Sequence, residues 1–99
     1  MVAEKSKTYC VYMLLCRDQS IYTGMTNNLE QRIAQHNAGK GARYTATRRP
    51  VTLLAVWQCE SRSEAARLEM KFKGMTKEKK LAAVQDQNRK VSGTSEPYR

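Results

Sequence analysis

At 99 residues the chain forms one domain with a modest core and no room for a large internal cavity. Lys and Arg outnumber Asp and Glu by 18 to 9, and the resulting net charge of +9 predicts a positive field suited to a polyanion, nucleic acid first, although solubility alone accounts for such a surface too. Three cysteines exclude a disulfide framework, and no stretch supplies a signal peptide or spans a bilayer, so we expect a soluble protein of the reducing cytoplasm.

Residues 9–16, YCVYMLLC, are apolar on both alternating sets of positions, which predicts a central strand covered on both faces. Cys10 and Cys16 share one face of it; without the paired short spacings of a zinc site they read, with Cys59, as small buried hydrophobes. Tyr9 reads as core. Arg17, Asp18 and Gln19 supply a turn, and residues 20–25 close a hairpin. A three-residue loop pairs Leu14 with Tyr22 and Tyr12 with Gly24. Tyr12 and Tyr22 then become diagonal neighbours on one face, with space beside Tyr12 where Gly24 has no side chain. A two-residue turn sends the phenols to opposite faces, so we expect an odd loop or a bulge.

Asn27 or Asn28 caps a first helix that ends near Asn37, before Gly39 and Gly41. With Leu29 at zero and 100° per residue, Ile33 falls at about 40°, Arg32 at about 300° and His36 at about 340°. Both basic groups therefore share the apolar stripe. Glu30, Gln31, Ala34 and Gln35 take the opposite arc, so solvent had room for Arg32 and His36 and the sequence did not put them there.

A basic loop, GKGARYTATRRP, follows, with Lys40, Arg43, Arg48 and Arg49 around Tyr44. Tyr44 either stacks on a base or packs within the loop. Residues 51–58 read as a third strand. Ser61 with Glu64 forms a capping box opening a second helix over residues 61–73. Ala65, Leu68 and Phe72 make its apolar stripe, and Glu69 joins them at i+4 from Ala65. A carboxylate turned toward a core is costly unless it is paired or binds a metal. Gly74 stops this helix, and Thr76 caps a shorter one running through Leu81 and Val84. From about Asp86 the chain is polar, with Gly93 and Pro97, which predicts a domain over residues 8–85 and a loose tail over 86–99.

Val11-Tyr12, the triplet Tyr22-Thr23-Gly24, then Arg32, His36 and Glu69 resemble the GIY-YIG nuclease family in order and spacing. The short length and the GKGARYT loop look like its small stand-alone bacterial members. The first triplet departs from the family, being Cys10-Val11-Tyr12, and no asparagine follows Glu69 before Asn88. The likeness implies an α+β fold, a three-stranded antiparallel sheet flanked by helices, and cleavage of phosphodiester bonds in DNA with magnesium or manganese. It further implies that Glu69 is the sole protein ligand to the metal and that Tyr12 or Tyr22 takes a proton from the attacking water. Arg32 would meet the charge developing on phosphorus, and His36 would orient a phenol or assist proton transfer.

On composition, Lys40, Arg43, Tyr44, Arg48, Arg49, Lys71 and Lys73 are candidate contacts to the nucleic acid, the lysines serving equally well as a solvated face. Arg32 with Glu69 could also be a buried ion pair without catalysis. The second functional reading is a nucleic-acid-binding module that keeps the fold and turns over poorly; the third is a protein-interaction domain.

Overall fold

The doubly apolar segment becomes β1 (Tyr9–Leu15), the middle strand of an antiparallel sheet between β2 (Ile21–Thr26) and β3 (Thr52–Cys59). A computed structural model describes residues 8–91. Cys16 N–H donates to the Ser20 carbonyl at 2.9 Å, and Gln19 adopts a φ of +74°, so the hairpin loop is the odd one that the register demands. Tyr12 faces Gly24 and Leu14 faces Tyr22 across it.

Alternation along β1 creates two cores. Val11 and Met13 pack with Ala55, Ala65, Phe72 and Val84 on one face. Cys10, Tyr12, Leu14 and Cys16 pack with Val51 and Val56 on the other, where α1 (Leu29–Asn37) contributes Leu29 and Ile33. A shift in pairing between Met13 and Leu14 places Leu54 and Ala55 of β3 on the same side. All three thiols are buried, and desolvation, with Cys59 adding to it, pushes Cys10 up to about 11, so they behave as small apolar groups.

The three long helices start where a side chain accepts an orphan N–H. Asn28 accepts from Gln31 N at 3.2 Å, and Ser61 accepts from Glu64 N at 3.1 Å at the start of α3 (Arg62–Lys73). The Glu64 carboxylate reaches back to Glu60 N at 2.7 Å, one residue earlier than a reciprocal capping box. α1 closes through Gly39, whose φ of +83° suits a residue without a Cβ.

Two elements differ from the sequence reading. The basic loop contains a helical turn, α2 (Arg43–Ala46), and α4 (Lys77–Val91) continues past Asp86, where a loose tail was expected. The cause of the second is polar, not apolar. Gln87 Nε2 donates to the Val56 carbonyl at 2.8 Å and Asn88 Nδ2 to the Leu54 carbonyl at 3.0 Å, so the last turns of α4 are tied to backbone acceptors of an edge strand. Asp86 adds ion pairs to Lys90 and Arg89. Residues 92–99 of the expected tail lie outside the described residues. No helix among the described residues is long and apolar enough to cross a membrane.

Candidate active site

His36 is fully buried on the inner stripe of α1, and both its ring nitrogens are engaged. Thr45 Oγ1 donates its one proton to the Ala42 carbonyl at 3.2 Å, so the same oxygen must accept from His36 Nδ1, 2.7 Å away. Nδ1 therefore carries the imidazole proton. The bare Nε2 then accepts from the Tyr12 hydroxyl at 2.9 Å. Burial, helped by the charge of Arg32, holds the imidazole below its ordinary pKa, which keeps it neutral and able to accept. Burial also pushes the Tyr12 phenol up to about 12, against a hydrogen bond and a favourable charge from Arg32.

Close approach to this pair explains two glycines. A Cβ on Gly24 would lie 2.5 Å from the Tyr12 hydroxyl and 3.1 Å from the Tyr22 ring, and a Cβ on Gly41 would collide with the His36 ring. The Tyr22 ring meets His36 edge-on at 5.1 Å and stacks on Tyr44 at 6.0 Å. Arg48 lies over Tyr44 at 3.9 Å and pairs with Asp18 at 3.0 Å, fastening α2 to the hairpin loop. Tyr12 is sealed, whereas Tyr22 is half-buried. Its hydroxyl has no partner among the described residues and is not one of the sealed polar atoms, so it opens to solvent.

Arg32 is half-buried, and its guanidinium is held by Gln35 Oε1 at 2.9 Å and the Gly41 carbonyl at 3.0 Å. Both acceptors are neutral. They fix the fork without cancelling its charge, which leaves a positioned cation close enough to act on Tyr12 and His36. Arg32 and Glu69 form no ion pair.

Glu69 is instead paired with Lys73 at 3.5 Å, its side chain 22% exposed. Its helix packs on the Val11 and Met13 face of the sheet, opposite the face that carries Tyr12, and none of the hydrogen bonds of the Tyr12–His36 network reaches it. Of the five polar groups, hydrogen bonds and ring contacts join Tyr12, Tyr22 and His36, with Arg32 acting on Tyr12 and His36 by its charge, while Glu69 makes its ion pair with Lys73.

A family profile described as the GIY-YIG catalytic domain matches residues 8–82. The chain belongs to the GIY-YIG family. This is a nuclease family, and the relatives of this GIY-YIG domain are small UPF0213 proteins. One from Staphylococcus haemolyticus is 50% identical over 77% of this chain and 93% of its own length. One from Bacillus velezensis is 41% identical over 86% of each chain. The solution NMR structure of a protein from Enterococcus faecalis is 41% identical and superposes with a TM-score of 0.59, covering 81% of this chain and 85% of that one. That of a UPF0213 protein from Bacillus halodurans gives 0.52 at 42% identity, over 79% and 83%.

In this GIY-YIG domain the candidate nucleic-acid contacts are mostly exposed. Lys40, Arg43, Arg49, Lys71 and Lys73 are exposed, Arg48 is half-buried by Tyr44, and Tyr44 is 39% exposed with Tyr22 and Arg48 already against its ring. No cluster of three His, Cys, Asp or Glu side chains occurs among the described residues. A lone half-buried carboxylate, paired only with an exposed lysine, suits a hydrated hard cation that takes few protein ligands. Two residues of the site, Thr45 and Gly41, escaped the sequence reading as site residues. Thr45 carries no charge and lies in a segment read as loop, and only the turn of α2 brings its hydroxyl under the imidazole.

Proposed function

We propose that the protein is a divalent-metal-dependent endonuclease that hydrolyses phosphodiester bonds in DNA. The observation that carries this reading is Arg32: a half-buried guanidinium fixed by two neutral acceptors keeps its charge and its fork in place, an arrangement suited to a phosphate. Tyr22 is the phenol able to meet an attacking water, while Tyr12 and His36 stand sealed behind it. Attack on phosphorus breaks one P–O bond, the proton of the water goes to the phenolate oxygen of Tyr22, and the leaving oxygen is protonated from solvent. Arg32 meets the charge that develops on the phosphoryl oxygens. Glu69 would hold magnesium or manganese, which supplies Lewis-acid stabilisation of that charge.

A second reading, a nucleic-acid-binding module with the nuclease fold, is favoured by Glu69, which lies outside the network, and by Asn88, which is spent on the Leu54 carbonyl. Incubation with single- and double-stranded DNA, with magnesium or manganese and then with a chelator, separates the two. The nuclease reading expects cleavage that the chelator, Glu69→Ala and Tyr22→Phe each abolish. The module reading expects no cleavage, with binding that weakens steeply as salt rises and survives Glu69→Ala.

A further inference from the structure

The hydrogen bonds behind Arg32 all run in one direction. Thr45 donates to Ala42, His36 to Thr45 and Tyr12 to His36. Every hydroxyl in this row has one proton, so reversing any link forces two donors or two acceptors to face each other somewhere along it. The end of the row is fixed by backbone, because the Ala42 carbonyl can only accept. Thr45 is fully buried, and among the described residues its side chain has no hydrogen-bond partner other than His36 and Ala42.

We infer that Thr45 is a positioning residue for Tyr12: by holding the His36 proton on Nδ1 it makes the Tyr12 hydroxyl donate to the imidazole, which leaves the phenol oxygen as an acceptor on its other side. In the opposite tautomer Nε2–H would face the Tyr12 hydroxyl, which would have to turn its own proton away from the imidazole inside a sealed site. Gly41 serves the same row, since its missing Cβ admits the imidazole. The consequence for rate rests on the nuclease reading; the proton arrangement does not.

The chain contains a single histidine, so long-range proton–nitrogen correlation spectra of the uniformly nitrogen-labelled full-length protein report His36 without assignment ambiguity. At a pH above the ordinary imidazole range, the wild type is expected to show a proton-bearing Nδ1 and a bare Nε2. Thr45→Val fills the same volume without the hydroxyl and is expected to shift the spectrum toward the Nε2–H form, and Thr45→Ser to restore the Nδ1–H form. DNA cleavage should fall about tenfold in Thr45→Val, the order set by one lost buried hydrogen bond, and recover in Thr45→Ser. A wild type carrying its proton on Nε2 overturns the proposal, and needs no variant to do so. So does a Thr45→Val protein with an unchanged tautomer and an unchanged rate. If the tautomer responds as described but no DNA is cleaved under any condition, the hydrogen-bond row stands and the nuclease reading falls.

Discussion

The hydroxyl of Tyr12 lies 2.9 Å from Nε2 of His36, and neither side chain exposes any surface. Removing one partner of such a pair leaves the other without water or protein to replace it. Tyr12→Phe keeps the ring in its core and strands the Nε2 lone pair, so we expect a loss of about 1–3 kcal/mol in urea denaturation, with the slope unchanged. Tyr22→Phe is the internal comparison. Its hydroxyl opens to solvent, and its removal should change stability by less than about 0.5 kcal/mol. Equal losses in the two variants would contradict the assignment of one phenol as sealed and the other as open.

The same burial makes stability depend on pH. The groups facing the imidazole are Tyr12 from β1, Tyr22 from β2, Arg32 from α1 and Thr45 from α2, and none of them is a carboxylate. The folded pKa of His36 therefore lies below the ordinary value of 6.5, with burial as the larger cause and Arg32 the smaller. Between the two values the unfolded chain binds more protons than the folded one, so stability rises with pH across that window. The contribution is full above 6.5 and is lost as pH falls through the folded value. Asp18, held low by hydrogen bonds from Ser20 and then by Arg48, titrates in the folded protein below the usual carboxylate value of 3.8 and is separable. Urea midpoints measured from neutral to mildly acid pH should fall in the wild type, and this slope should be absent in His36→Asn.

Periodicity carried most of this site into the sequence. Positions four apart on α1 place His36 inward, and the odd hairpin loop places Tyr12 and Tyr22 on one face, because both follow from fixed geometric repeats. What the repeat cannot say is which side of the sheet a helix covers. Glu69 is half-buried on α3 and paired with Lys73, and the apolar stripe of α3 packs on the face opposite Tyr12. Thr45 was illegible for another reason: a small neutral hydroxyl in a basic stretch has no pattern, and its role exists only once α2 forms. The end of α4 was misread because Gln87 and Asn88 look like tail residues until a strand edge offers them carbonyls.

Arg32→Lys tests whether the fork or only the charge matters. Lysine keeps the cation but cannot span Gln35 Oε1, the Gly41 carbonyl and a phosphate with one planar group. On the nuclease reading we expect cleavage to drop at least about tenfold, since a misplaced donor forfeits much of its transition-state stabilisation. Binding to DNA at low salt should change far less, because screened attraction follows charge and not fork geometry. Rates and filter-binding affinities on the same oligonucleotide check both halves.

The anchoring of α4 gives a prediction that no catalytic assumption touches. Val56 and Leu54 lie in β3, which pairs with β1 on one side only, so their carbonyls bound by Gln87 and Asn88 would otherwise turn to water. Exchanging protein hydrogen bonds for water costs about 1 kcal/mol each, so Gln87→Ala and Asn88→Ala should each destabilise by roughly that amount. Their sum should hold in the double variant unless the two amides act as one clamp, in which case the first substitution takes most of the loss. Hydrogen exchange locates the effect: the amides of residues 86–90 should lose protection in the double variant while those of β1, the central strand, keep theirs. Unchanged protection at the end of α4 would mean that helix propensity and the Asp86 ion pairs hold those turns without help from β3.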